Sequence, residues 1–327
     1  ESGYSVTLFG LQGGHSGGDI DKGRASANAL MGRTLCTAMA HVPGLRLAAV
    51  NGGKFDNVIC SRCEARVAVP AGREADFERF IREFDATLKN EYAGCDADVA
   101  LCCEPCAVGE AVSAQRSSVL LHALLAMPQG VQEMSADFPG LVQTSLNLGV
   151  LRLEADGLHA NFCIRSCIAS QKEMLVRRVR AVAELAGGTV SERSAYPGWQ
   201  YARKSELREL VLSAYRDVSG QEGKIEATHG GLECGLFIEK IPGLDAVSLG
   251  PELHDVHSVR ERLNVPSTHT RVVADAFPTI SDEPKTMTLL SAVWNRTVSI
   301  VVSSKDMSVG VFGLHLFWRT LRTNRRS

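Results

Sequence analysis

Between residues 1 and 103 the spacing of apolar side chains switches back and forth between every second position and every third to fourth. The order of those switches limits the fold more than any other feature of the chain. YSVTLF (4–9) reads as a strand, and Ala27, Leu30, Met31, Leu35 and Ala38 then recur at helical spacing on one face. Two strand-like runs follow, LRLAAVNGG and NVICSRCEARVAVP, with a turn at Gly52-Gly53. Phe77, Phe80, Ile81, Phe84 and Leu88 form a second helical stripe between charged residues, and residues 97–103 supply a further strand. Strand, helix, two strands, helix, strand is the order of a ferredoxin-like α+β sandwich, an antiparallel sheet with helices on one face.

A second round of elements is legible beyond it. Residues 115–127 and 171–186 have helical spacing, and 143–154 and 159–166 read as strands, which carries the first domain to about residue 190. The texture then changes. YPGW (196–199) precedes a helix over 204–218, a strand over 223–228, a glycine-rich turn into a further helix, and DAVSLGP. Alternating strands and helices predict part of an α/β domain with a parallel sheet over 191–268, too short to be a whole one. Residues 269–327 are left unassigned: apolar runs without clean caps end in the basic RTLRTNRRS.

The balance of charge narrows the partners. Net charge is −2 with acidic and basic residues interleaved, so no basic face points to nucleic acid or to anionic lipid. No run of 18 apolar residues occurs and the start lacks the order of a secretory signal, so a cytoplasmic location and a small-molecule or peptide partner are expected. The chain opens on Glu1, almost directly into a strand, which reads as a segment of a longer protein. Ten cysteines in such a chain are read as reduced thiols. Cys60/Cys63 and Cys103/Cys106 spell two CxxC pairs, but the gap between them exceeds that of a zinc ribbon, and packed thiols are expected.

Three stretches join turn glycines to reactive side chains: GGHSGG (13–18), THGGLECG (228–235) and SLGPELHDVHS (248–258). In the first, glycines on both sides of His15 allow sharp backbone and close approach, so the imidazole is displayed. In the second, Glu233 and Cys234 lie at the mouth of a helix. In the third, His254 and His257 follow a strand, where open α/β sheets place ligands.

The order of these motifs resembles the aminoacyl-histidine dipeptidases (peptidase D, Xaa-His dipeptidase) of the di-zinc aminoacylase and carboxypeptidase clan. The resemblance runs through GLQGGHSGGDI, FDNVICSRCEA, FPGLVQTSLNLGV, IRSCIAS, YPGW, THGGLECGLF and SLGP followed by HS, seven collinear matches between residue 1 and about 268. It implies a lid domain over 1–190 inserted in a catalytic domain whose returning part is 191–268. It further implies that His15 stabilises the oxyanion, that Asn57 and Arg165 meet the substrate's polar groups and carboxylate, that Glu233 and Cys234 line the pocket, and that His257 is a metal ligand. The implied reaction is hydrolysis of Xaa-His dipeptides, β-alanyl-histidine among them, by water activated on two zinc ions, with manganese or cobalt as substitutes, in a homodimer.

The departures are equally specific. The clan's His-x-Asp and Glu-Glu elements do not occur in this sequence, so the missing ligands and general base are expected upstream of residue 1. Gln143 stands where the family commonly has Glu, Cys60 where it has Pro, and Val259 where it has Pro. One matched metal ligand cannot hold two ions. The alternative expectation is therefore a non-catalytic lid or dimerisation fragment.

Overall fold

The computed structural model describes residues 1–250, 252–254, 261–265, 292–294 and 297–302. The chain divides into two compact units, residues Glu1–Ala195 together with Thr228–Gly230, and Tyr196–Ala227 together with the residues from Gly231 onward.

In the first unit the elements run β1 (Ser2–Phe9), β2 (Gly14–His15), α1 (Ala27–His41), β3 (Arg46–Gly52), β4 (Val58–Ile59), β5 (Cys63–Val69), α2 (Glu74–Glu91), β6 (Ala100–Cys106), α3 (Ala114–Ala126), β7 (Gly130–Met134), β8 (Val142–Glu154), β9 (Gly157–Ser166) and α4 (Ala169–Leu185). The main sheet has the order β6-β1-β5-β3-β8-β7, with β9 on β8, and its pairs are antiparallel. This is the α+β architecture expected from the order of periods.

The core explains the order. Along β1 the buried residues are Tyr4, Val6 and Leu8, every second position, so the strand turns one face inward. Leu30, Met31 and Leu35 of α1 and Phe77, Phe80, Ile81, Phe84 and Leu88 of α2 meet that face in a single apolar cluster. The α2 stripe has the helical spacing that covers a sheet, and Phe77 and Leu88 are fully buried. Tyr4 keeps its hydroxyl satisfied by donating to Glu78 at 2.8 Å, and burial pushes its pKa up to about 12.

Three details differ from the sequence reading. The strand expected at 97–103 is β6 at Ala100–Cys106, because Asp96 to Val99 form a turn closed by Val99 N–H donating to the Asp96 carbonyl at 2.9 Å. β7, GVQEM, carries no apolar alternation and exists through its backbone pairing with β8. Residues 223–228 form no strand; a strand needs a partner edge, which local propensity cannot supply.

The second unit holds α5 (Glu206–Ser219), α6 (Glu233–Lys240), β10 (Asp245–Leu249), β11 (Leu253–His254), β12 (Arg262–Leu263), β13 (Ala292–Trp294) and β14 (Thr297–Val302). Ser205 caps α5 by accepting from Arg208 N–H at 3.0 Å while donating to Asp245 at 2.8 Å, which ties the helix start to β10. Gly220 closes α5 in the left-handed conformation. In place of the parallel pairing expected here, β10 pairs antiparallel with β14, and among the described residues no parallel pair occurs. Beyond β13 and β14, the unassigned stretch from 269 lies outside the described residues.

Candidate functional site

The GGHSGG loop is pinned at both ends by one carboxylate. Asp96, fully buried, accepts from Gln12 N–H through Oδ1 at 2.7 Å and from Ala25 N–H through Oδ2 at 2.7 Å. Between those staples β2 pairs with β4, placing His15 opposite Val58, and Ser16 N–H donates to the Asn57 carbonyl at 2.9 Å. His15 is thus placed on a two-stranded ladder and Asn57 directly before it, with both side chains exposed.

Inside the loop, Asp19 Oδ2 accepts from His15 N–H at 2.8 Å, and Arg24 Nη1 donates to the Gly13 carbonyl at 2.7 Å. The hydrogen bond from Lys22 holds the Asp19 carboxyl below its ordinary range, helped by His15 N–H and the Arg24 guanidinium. Gly14, at φ 136°, has no room for a side chain: a Cβ there would fall 2.4 Å from Arg24 Nη1 and 2.6 Å from Asp19 Oδ2.

The imidazole itself is set by the backbone. Gly17 N–H donates to His15 Nδ1 at 3.1 Å. A backbone N–H can only donate, so Nδ1 is the acceptor and the proton of the neutral ring sits on Nε2. Gly17 also marks where His15 meets Arg165 of β9. A Cβ on Gly17 would lie 3.0 Å from His15 Cε1, 3.1 Å from Nδ1 and 3.4 Å from Arg165 Cζ. Around one glycine, then, an N–H donor and a guanidinium converge.

Asn57 has its own support. Buried Asn147 on β8 donates through Nδ2 to the carbonyls of Asp56 at 2.7 Å and Val58 at 2.8 Å, gripping the turn on both sides of Asn57. In the sequence Asn147 is legible only as part of a strand, and Asp96 carries no signal of its own. Their acceptors and donors lie 71 to 91 residues away in sequence, where no local pattern reaches.

The segment Thr228–Gly230 also belongs to the first unit. His229 is 6% exposed and its Nε2 has no hydrogen-bond partner. Burial, then the Arg165 charge, with a smaller push from His15, drives its pKa down to about 4, against a weak opposing pull from Asp21. Arg165 Nη1 lies 4.0 Å from where a Cβ on Gly230 would sit. His229 was passed over in the sequence, although it shares with His15 the one available signal, a histidine followed by turn glycines.

Glu233 and Cys234 open α6 in the second unit. Cys234 is fully buried with Sγ 3.9 Å from the Val247 carbonyl, so its thiol packs against β10. The Tyr196 ring of YPGW lies against Gly231, and its phenol is pushed up by burial and then by Glu233 and Cys234. His257 lies outside the described residues.

The CxxC pairs do not meet. Cys63 pairs across to Leu8 and Cys103 to Val6, on the two strands flanking β1, roughly 10 Å apart across the sheet. A tetrahedral zinc with bonds of about 2.3 Å cannot span that. Burial raises both thiols, Cys103 to about 11 and Cys63 well above the ordinary value, as packed cysteines require.

Residues 6–95 match the model of the M20 peptidase dimerisation domain. The chain is 35% identical to the cytosol non-specific dipeptidase of Escherichia coli K12 over 265 residues, which is 81% of this chain and 54% of that protein. Its fold superposes on the crystal structure of aminoacylhistidine dipeptidase from Vibrio alginolyticus with a TM-score of 0.76 at 34% identity, covering 83% of this chain and 56% of the other. Residues 6–95 thus carry the dimerisation domain of the M20 peptidases, and the chain is similar to dipeptidases of that kind. It spans about half the length of the relatives it matches.

M20 peptidases are metallopeptidases, so a divalent metal is implied. Among the described residues, the group with metal-ligand geometry is Glu154, Asp156 and His159 at the β8–β9 turn. All three are exposed, and His159 Nε2 already pairs with Asp156 at 2.8 Å. A solvated hairpin tip of this kind does not fit a shared catalytic metal centre, which needs a closed ligand set and a shaped, dry cavity. Among the described residues no helix is long and apolar enough to cross a membrane.

Proposed function

We propose that this chain is an M20 peptidase that carries the substrate-holding half of a dipeptidase for Xaa-His dipeptides, β-alanyl-histidine among them. The observation that carries this reading is the convergence of His15 and Arg165 on Gly17. Arg165 is the group for the C-terminal carboxylate, since a guanidinium fork binds two carboxylate oxygens at once. His15, with its proton fixed on Nε2 by the Gly17 amide, presents a neutral donor to the oxygen that gains charge as the amide carbonyl is attacked. Asn57, directly before the β4 strand that pairs with His15, adds an amide to the polar end of the substrate. The Xaa-His preference accords with the name of the Vibrio alginolyticus relative, and the cytoplasmic location with that of the Escherichia coli one.

Glu233 and Cys234 are proposed as pocket residues and His257 as a metal ligand. Two zinc ions, with manganese or cobalt as substitutes, are the proposed cofactor. A homodimer built on the 6–95 domain is the proposed assembly, and β6, the outer strand of the main sheet, offers an edge for it.

A second reading is favoured by a specific observation: the sequence lacks the His-x-Asp and Glu-Glu elements of the clan. On that reading the chain binds the dipeptide and does not cleave it. Hydrolysis and binding of β-alanyl-histidine by the 327-residue chain, with zinc or manganese supplied, separate the two. Turnover abolished by both His15→Ala and His257→Ala supports a complete dipeptidase. Binding without turnover supports the second reading. Neither binding nor turnover contradicts both.

A further inference from the structure

We propose that His229 is a second anchor for the substrate carboxylate, beside Arg165, and so a specificity-determining residue for substrates with a free C-terminus. The inference rests on the dipeptide reading above and extends it to a residue that reading does not use.

Two polar groups of the first unit are buried without a partner at the same place. His229 Nε2 is one, in a side chain only 6% exposed. Arg165 Nε is the other. Among the described residues Arg165 forms no ion pair, while the nearby loop carboxylate, Asp19, is already taken by Lys22, Arg24 and His15 N–H. Folded chains leave few buried polar atoms unsatisfied, and those they leave call for a ligand or another explanation. A guanidinium without its anion beside an imidazole without its hydrogen-bond partner has the composition of a carboxylate receptor: one carboxylate oxygen accepts from Arg165 and the other from His229 Nε2–H.

The electrostatics agree with the geometry. The titratable groups facing His229 are Arg165, His15 and Asp21; burial, the largest influence, and Arg165 outweigh the opposing pull of Asp21 and keep the ring neutral. A neutral imidazole next to a guanidinium donates without adding a second buried cation. An arriving carboxylate opposes both burial and the Arg165 charge, so it raises the His229 pKa. A histidine that only fills space has no such linkage to ligand.

The test follows the His229 ring proton by NMR in the full chain, assigned with His229→Gln, across pH 3 to 8. The probes are β-alanyl-histidine and β-alanyl-histidinamide, which lacks the carboxylate. The dipeptide is expected to raise the His229 pKa from about 4 by a unit or more, and the amide to leave it in place. His229→Phe is expected to weaken dipeptide binding about tenfold without changing amide binding, and His229→Gln, which restores a donor, to recover part of the loss. Dipeptide binding that depends on Arg165 but leaves the His229 titration and the His229→Phe affinity untouched overturns this inference and spares the Arg165 reading. Absence of any carboxylate-dependent binding overturns both. The titration uses the unaltered chain, so it decides the matter even if His229→Phe does not fold.

Discussion

Two histidines in this chain are followed by turn glycines, and the fold treats them in opposite ways. His15 is exposed on a two-residue strand, with its ring proton placed by a backbone amide and its loop stapled at both ends by Asp96. His229 is buried, with Nε2 unpartnered and the pKa near 4. Both lie beside Arg165. One short motif can therefore hold one imidazole at the surface and bury another. What decides is which long-range partners reach it, and the glycines only permit the approach.

The contrast can be broken most forcefully at Asp96. Asp96→Ala leaves the amides of Gln12 and Ala25 without acceptors, and a loss of about 2–4 kcal/mol is expected in denaturant unfolding followed through the first unit. If the His15 loop and the His229 segment are separately held, the His229 pKa stays near 4 in that variant, as NMR titration reports.

Acid sharpens the contrast next. The His229 pKa is about 4 in the folded chain and about 6.5 unfolded, so between those values the unfolded chain binds the extra proton. The stability contributed by the neutral ring is fully present above pH 6.5 and is lost as pH falls from there to 4. The expected loss is on the order of 2–3 kcal/mol, and His229→Gln removes that pH dependence in denaturant titrations. A wild-type profile no steeper than that of the variant would contradict it.

Gly17 tests the point where the two histidines share a neighbour. Gly17→Ala sets a methyl 3.0 Å from the His15 ring and 3.4 Å from the Arg165 head, both ends of movable side chains. Stability is expected to fall by less than about 1 kcal/mol, while β-alanyl-histidine affinity, read by calorimetry, drops about tenfold or more. The smallest effect belongs to His15→Ala, within about 0.5 kcal/mol in thermal unfolding because the side chain is exposed. A large destabilisation there would mean that the ring holds the loop and is not merely carried by it.

How far the sequence revealed these features depends on the range of the interaction. The α2 stripe from Phe77 to Leu88 was legible because a helix buries every third or fourth residue regardless of its partner. β7 was invisible because GVQEM is held by backbone bonds to β8, and the non-strand at 223–228 was misread for the converse reason. At the site, His15 stood out through its glycines, and Asn57 and Arg165 through the family resemblance. Asp96, Asn147 and His229 stayed hidden: each acts through atoms brought close only by the folded sheet. The parallel sheet expected over 191–268 shows the same limit, because an isolated strand such as β10 carries no mark of the direction of its neighbour.

The most direct test of the central claim, that the first unit gathers a carboxylate-binding site around Gly17, is a calorimetric titration of β-alanyl-histidine into the full chain and into Arg165→Ala. Saturable binding is expected that falls at least about tenfold in the variant and is equally weak for the histidinamide in both chains. Equal affinity of the two chains for the dipeptide, or equal affinity of the native chain for dipeptide and amide, would contradict it.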